Sequence, residues 1–406
     1  MIRGRRAPRP FSGSSGGPVA PRPGLAAVLL LSLAAGCGGG PVTSLTADQD
    51  GGGTTRPTAS AGGGSPSPSA SHKRRPRPTA GPTTTAGPTV PGGPGATRPP
   101  PGSGDCATGP KLVPTCGAWW GVYVRNAWQD SSITGLEGKV GRKFNIVMRY
   151  FDWTDGPAGR FPDASAQRMS AGRHLFFSWD TRVYRTGKPV RWAEIASGAH
   201  DAKIVRPAAE RMKAFGRQAF VSFDHEMELN LDSRGTEAEY VAAARHVHDV
   251  FRRAGVTNVV WVFTTSGGIY GDMPNKINRL YPGDAYVDWV GWDPYNFHRC
   301  HNAGWETFSQ SIDRSYRWFS QGIGRDKPLI LPEFGTAWDP SNPGRSNAWH
   351  STIPKDLATK YTKIKGLIRW DSDVSNLGMR CGLNIDSGPG MLQSFKNAGL
   401  DRYLNP

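Results

Sequence analysis

The 406-residue sequence lacks the signatures of several common protein classes. It contains five cysteines but no CxxC pair, so a structural zinc site is not expected. No GxGxxG or Walker sequence follows the first apolar run, which excludes those nucleotide-binding folds. The stretch His225-Glu226-Met227-Glu228-Leu229 begins like HExxH but lacks the second histidine of that zinc site. We therefore expect no metal and no cofactor.

Large apolar residues are almost absent from residues 38–104, which consist mainly of Gly, Pro, Ser, Thr and Ala. Such a segment cannot offset the entropy lost on ordering, so it is predicted to be a disordered linker. Upstream, five arginines precede an apolar run over residues 25–35 that is too short to span a bilayer comfortably. This layout predicts an export signal over 1–36, a linker over 37–105 and one folded domain over 106–406.

The export segment ends in Leu33-Ala34-Ala35-Gly36-Cys37, which resembles the bacterial lipobox. Lipidation of Cys37 would then hold the protein at the cell surface. A secreted protein that is cut near the small residues is the alternative.

Half of the net charge of +16 lies before Cys106, and the folded part has no basic helix, so nucleic acid is not an expected partner. We expect a monomer.

Apart from Cys37, the sequence has four cysteines, and four cysteines allow three disulfide connectivities. We favour Cys106 with Cys116, a local clasp at the start of the domain, and Cys300 with Cys381, which would join two late loops. Such bonds fit an oxidising compartment.

Short runs rich in β-branched and aromatic residues alternate with amphipathic segments along the folded part, as in the helical pattern over residues 235–255. Eight such runs occur, at 118–124, 144–151, 174–179, 218–224, 258–263, 286–293, 328–333 and 364–370. This alternation predicts an α/β fold, a closed (β/α)8 TIM barrel, preceded by the linker.

Polar or aromatic residues end nearly every run, and the carboxyl ends of barrel strands form the active-site face. Glu226 ends the fourth run and Glu333 the seventh. Two carboxyl groups that flank a cleft can hydrolyse a glycosidic bond, one as an acid and the other as a nucleophile or base. Retention of configuration requires them to lie about 5 to 5.5 Å apart.

Four motifs carry a resemblance to a known family. They are His225-Glu226, EYVAAARHVHDVFRRAGVTNVVWVF, VDWVGWDPYN and PLILPEFG, in that order. Across residues 117–400 the sequence resembles glycoside hydrolase family 26, a family of retaining enzymes. The resemblance implies that Glu226 is the acid/base, that Glu333 is the nucleophile and that Tyr295 hydrogen-bonds the nucleophile. It also implies a polysaccharide substrate, β-mannan first, with mixed-linkage β-glucan and β-1,3-xylan as alternatives.

Other strand-end residues are candidates for binding sugar. His225 either contacts substrate or orients Glu226, with Asp224 as a candidate to hold its imidazole. Asp293 would bind a sugar hydroxyl or set the charge near Glu333. Tryptophans that could stack on pyranose rings are Trp153, Trp179, Trp292, Trp338 and Trp370, of which Trp292 and Trp338 are preferred.

Two alternatives stay open. Glu228 would lie on the loop beyond the strand, where it would bind a substrate hydroxyl, be solvated or compete as the catalytic group. The whole chain could also be a surface protein that binds polysaccharide on the same barrel with little turnover.

Overall fold

The computed structural model describes residues 106–300, 303–372 and 382–405. The predicted signal segment and linker lie outside these residues, so both stay predictions. Among the described residues, no helix has the length and apolar character needed to cross a membrane.

Eight parallel strands form the centre of the fold, and each coincides with one of the predicted runs to within a few residues. They are β1 (Trp119–Val124), β2 (Ile146–Phe151), β3 (His174–Trp179), β4 (Ala219–Phe223), β5 (Val259–Thr265), β6 (Trp289–Trp292), β7 (Leu329–Thr336) and β8 (Ile364–Asp371). Each strand pairs with the next, and β8 pairs with both β7 and β1. The sheet is therefore closed, which confirms the predicted (β/α)8 barrel.

Helices lie between the strands. They are α1 (Asp130–Val140), α2 (Ala164–Met169), α3 (Trp192–Ala196), α4 (Arg206–Phe215), α5 (Leu231–Arg234), α6 (Glu237–Arg253), α7 (Met273–Leu280), α8 (Phe308–Gln321), α9 (Pro343–Ala348), α10 (Ile353–Thr359) and α11 (Met391–Leu400). The predicted helix of residues 235–255 is α6. It begins at a capping box in which Thr236 and Glu239 each accept a hydrogen bond from the other's backbone N–H.

Along each strand, the side chains point alternately into the barrel and outward to the layer that packs on the helices. Tyr150, Ser178 and Ser222 lie side by side on β2, β3 and β4. Ser222 donates a hydrogen bond to Thr264 on β5, which continues this row inside the barrel. The next residues along the strands face outward, as Trp179 does where it packs against Phe251 of α6.

The predicted Cys106–Cys116 disulfide is present at the start of the domain. The other predicted bond involves Cys381, which lies outside the described residues, so this pairing stays a prediction.

Candidate active site

The segment that follows β4 turns sharply at two residues. Asp224 and Glu226 both have left-handed backbone conformations, with φ of 50° and 53°. Residues other than glycine rarely adopt this backbone conformation, and it tends to be retained where function requires it. Here it directs the two neighbouring carboxyl groups to different surroundings.

Asp224 is fully buried and holds the loop to the outer layer of the barrel. It accepts hydrogen bonds from Thr181 and from Nε1 of Trp192, at 2.6 Å for the tryptophan. Arg234 forms an ion pair with Asp224 and a second one with Asp180 at 2.8 Å. Asp224 thus contacts Arg234, and the suggestion that it holds the His225 ring is wrong.

Glu226 lies in a different environment at the mouth of the barrel. It is 3% exposed, and its Oε1 has no hydrogen-bond partner among the described residues. Burial, together with the negative charges of Glu333 and Glu228, raises the pKa of Glu226 well above its usual range. A carboxyl group with a raised pKa keeps its proton near neutral pH, as a general acid must.

Glu333 lies within β7 and is held through both carboxylate oxygens. The hydroxyl of Tyr295 donates a hydrogen bond of 2.7 Å to Oε2, which is the contact that the sequence predicted. The hydroxyl of Tyr150, on β2, donates to Oε1. The carboxylate of Glu333 therefore has a fixed orientation and two donors that stabilise its negative charge.

Asp293 supports the same strand from β6. Its Oδ1 accepts a hydrogen bond of 2.9 Å from the backbone N–H of Glu333, and its Oδ2 has no partner among the described residues. Burial and the charges of Glu333 and Glu226 raise the pKa of Asp293 well above its usual range. Asp293 lies beside Glu333, where the sequence placed it.

His225 lies between β3 and the carboxyl pair. Its Nδ1 is 2.8 Å from Oγ of Ser178, and its ring packs against Tyr150. Its predicted contact with substrate stays a prediction.

Glu228 is not solvated, contrary to one expectation from the sequence. It is 2% exposed, and its Oε1 accepts hydrogen bonds from the backbone N–H and the hydroxyl of Ser266, at 2.6 and 2.8 Å. Burial raises its pKa, while the bonds from Ser266 oppose this rise. Glu228 therefore anchors the loop that follows β5.

The tryptophans show that a strand end does not by itself place a side chain at the site. Trp179 is 0% exposed and stacks on Trp153 at 4.2 Å in the layer outside the barrel, which corrects its assignment to substrate binding. Trp292 stacks on Phe319 of α8, and its predicted contact with substrate stays a prediction. Trp370 stacks on Tyr123. Trp338 is half-buried beyond β7, and its role stays a prediction.

Tyr150 is the residue that sequence reasoning missed. It is among the polar and aromatic residues at the strand ends, but the sequence assigns it no role. Its burial and the charge of Glu333 raise the pKa of its hydroxyl well above the usual value, so the hydroxyl remains a donor.

Within the described residues, no group of three or more His, Cys, Asp or Glu is arranged to hold a metal ion.

The chain is similar to several known proteins. Residues 238–321 match the model of Glycosyl hydrolase family 26. A curated relative, Endoglucanase H of Acetivibrio thermocellus, is 30% identical over 292 residues, which cover 70% of this chain and 30% of that protein. The chain thus spans about a third of the length of this relative.

Solved structures with a similar fold include two mannanases. A GH26 β-mannanase from Bacteroides ovatus has a TM-score of 0.50 and 16% identity, covering 71% of this chain and 90% of that chain. The catalytic domain of a GH26 endo-β-1,4-mannanase from Bacillus sp. JAMB-750 has a TM-score of 0.50 and 18% identity. The match covers 71% of this chain and 88% of that chain. At these identities the likeness establishes the fold.

The barrel carries one buried carboxyl group after its fourth strand and one within its seventh, the kind of pair that glycoside hydrolases use. The family match and the curated relative agree with the resemblance that the four motifs carry. The chain is similar to glycosyl hydrolase family 26 over residues 238–321.

Proposed function

We propose that the chain is an exported, retaining endo-β-glycosidase that hydrolyses a β-linked polysaccharide. Glu226 is the acid/base and Glu333 the nucleophile in this proposal. One observation carries it: Glu333 is held by two tyrosine hydroxyls, while Glu226 is buried and one of its oxygens has no partner in the part of the chain that the structure describes. These are the different environments that two carboxyl groups need for different roles.

In the first step, the carboxylate of Glu333 attacks the anomeric carbon and forms a glycosyl ester. The bond from that carbon to the leaving oxygen breaks, and Glu226 donates its proton to this oxygen. The ester is neutral, so the negative charge that raised the pKa of Glu226 disappears.

In the second step, Glu226 is ionised and acts as a base. It takes a proton from water while the water oxygen attacks the anomeric carbon, and Glu333 leaves as a carboxylate. Two displacements restore the original anomeric configuration. The two tyrosines orient Glu333 for attack and for departure.

The substrate is a β-linked glycan with a mannan or a glucan backbone. The sequence resemblance favours β-mannan, whereas the curated relative at 30% identity bears the name endoglucanase. We therefore propose both backbones as substrates to be compared directly. β-1,3-Xylan is a third candidate from the sequence resemblance.

Export and anchoring are part of the proposal and depend on the sequence before the barrel. Lipidation of Cys37 would tether the barrel to the membrane through the linker, next to cell-wall or environmental polysaccharide. Radiolabelled palmitate that is incorporated by the native chain and not by Cys37→Ser would support the anchor. Equal labelling, or none, would favour a secreted protein.

The test of activity is the release of reducing sugar by residues 106–406 from β-mannan, galactomannan, mixed-linkage β-glucan, β-1,3-xylan and β-1,4-xylan. Glu333→Ala is the blank. Release from one polymer that disappears in the variant supports the hydrolase and identifies the backbone. Binding without release from any polymer would overturn it in favour of a polysaccharide-binding protein.

A further inference from the structure

A cleft of about 610 Å³ is lined in part by residues that contact Glu333, and the two displacement steps do not use it. Its volume falls within the range of about 300 to 1,000 Å³ that is typical of small-molecule sites. Asp293 and Tyr295, both in contact with Glu333, form one wall. Leu229, three residues beyond Glu226, and the loop of residues 266–270 form another. The cleft is therefore next to the residues that hold Glu333 and to the segment that follows Glu226, although neither glutamate lines it.

Two buried polar atoms belong to residues that line this cleft. Oδ2 of Asp293 and Nε1 of Trp292 have no hydrogen-bond partner among the described residues, and both side chains are at least nine-tenths buried. A buried polar atom without a partner is costly, and a ligand hydroxyl can satisfy it. One atom is an acceptor and the other a donor, which suits the hydroxyl groups of a neutral sugar.

The loop of residues 266–270 presents an aromatic ring at this cleft. Tyr270 lines the cleft and is 48% exposed, although it is large and mostly apolar. Exposed aromatic rings at a cleft are suited to stacking on the apolar C–H face of a pyranose.

Three contacts keep this loop in place. Glu228 holds Ser266 through two hydrogen bonds. On α8, Ser315 donates to the carbonyl of Gly267 at 2.7 Å, and Arg314 donates to the carbonyl of Ile269 at 3.2 Å. The loop is thus fixed between the acid/base segment and α8, so little entropy is lost when a ligand binds to its ring.

The position of the cleft indicates which part of the substrate it takes. The general acid donates its proton to the leaving oxygen, so the leaving sugar lies on the side of Glu226. Leu229, which follows Glu226 by three residues, lines the cleft. We propose that Tyr270 is a specificity-determining residue that stacks on the leaving-group sugar of a neutral β-linked glycan, with Glu228 as the residue that positions its loop. The inference rests on the proposed function.

The experiment compares the native chain with Tyr270→Ala, Tyr270→Trp and Trp128→Ala. Trp128 is the matched control, since it is 42% exposed and does not line this cleft. The substrates are β-1,4-mannotetraose and cellotetraose, each beside the nitrophenyl β-glycoside of its disaccharide. The nitrophenyl compounds place no sugar in the leaving-group position. Thermal unfolding is measured for every variant, as the control that each one is folded.

We expect Tyr270→Ala to lower kcat/KM for the tetrasaccharide about fivefold to tenfold and to leave the nitrophenyl substrate unchanged. Tyr270→Trp should restore the loss, and Trp128→Ala should cause none. Equal rates of Tyr270→Ala and the native chain on the tetrasaccharide would overturn the inference and leave the hydrolase intact. Equal losses on both substrates would overturn the assignment to the leaving group.

Binding separates this inference from the proposed function. If the native chain hydrolyses nothing, the hydrolase has failed, and calorimetry with the same two tetrasaccharides still tests the cleft. Weaker affinity in Tyr270→Ala than in the native chain and Trp128→Ala would support a sugar-binding cleft. Unchanged affinity would overturn it.

Discussion

The hydroxyl of Tyr295 donates a 2.7 Å hydrogen bond to Oε2 of Glu333, and this bond joins the loop after β6 to β7. The tyrosine comes from the WDPY segment and the glutamate from PLILPEFG, so two motifs that are far apart in sequence meet at one carboxylate. The donor orients the nucleophile without neutralising it.

Removing this donor should slow catalysis while leaving the fold intact. Tyr295→Phe retains the ring, which stacks on Phe297 at 4.9 Å, and loses only the hydroxyl. A hydrogen bond to a charged group contributes about 1.5 to 3 kcal/mol, so kcat/KM should fall about tenfold to a hundredfold. Steady-state kinetics measures the loss, and thermal unfolding is the control. An unchanged kcat/KM would show that the bond does not support the reaction.

Glu226→Ala should be sensitive to the leaving group. Loss of general acid catalysis should lower kcat by about 10²- to 10⁴-fold on a polysaccharide. A dinitrophenyl glycoside needs no proton on its leaving oxygen, so formation of the glycosyl ester should be nearly normal. A burst of dinitrophenol followed by slow turnover, accelerated by azide, is the expected signature. Glu333→Ala is the contrast, because it should show no burst; a burst in both variants would contradict the assigned roles.

The stability of the protein should depend on pH through Glu226. Its folded pKa lies well above the usual glutamate value of about 4.5, so the folded state keeps a proton that the unfolded chain releases. The free energy of unfolding contributed by this group should therefore fall as pH rises from about 4.5 through the folded pKa. Glu226→Gln cannot lose a proton, so its stability relative to the native chain should rise over this window.

Urea unfolding between about pH 5 and pH 9 measures this difference. Glu210→Gln, at an exposed glutamate of α4, is the control and should leave the pH dependence unchanged. Parallel curves for Glu226→Gln and the native chain would contradict the prediction.

The buried ion pairs of Arg234 should matter for stability. Arg234→Met would leave Asp180 and Asp224 buried without their cation, which typically costs about 3 to 5 kcal/mol. The matched control is Arg317→Met, where Arg317 pairs with Asp313 on the exposed face of α8 and should contribute at most about 1 kcal/mol. Urea unfolding measures both free energies. Equal losses in the two variants would refute the prediction.

The sequence determined the order of the barrel strands, because each strand is an apolar run with helical segments on either side. It also determined the two glutamates and Tyr295, since these lie in motifs whose spacing follows a known family. The structure confirms the closed barrel, the Cys106–Cys116 bond and the contact between Tyr295 and Glu333. These features could be predicted because the apolar runs, the cysteines and the motifs that carry them are recognisable in the sequence.

The tertiary structure alone decided which strand-end residues face the site. Ser178 and Trp179 are neighbours on β3, but only the serine faces the interior, and the sequence does not give the register that separates them. The left-handed turn at Asp224 and Glu226 likewise sends one carboxyl group to Arg234 and leaves the other at the mouth. Tyr150 reaches Glu333 only because closure of the sheet brings β2 within reach of β7, and no local pattern encodes a contact made by closure.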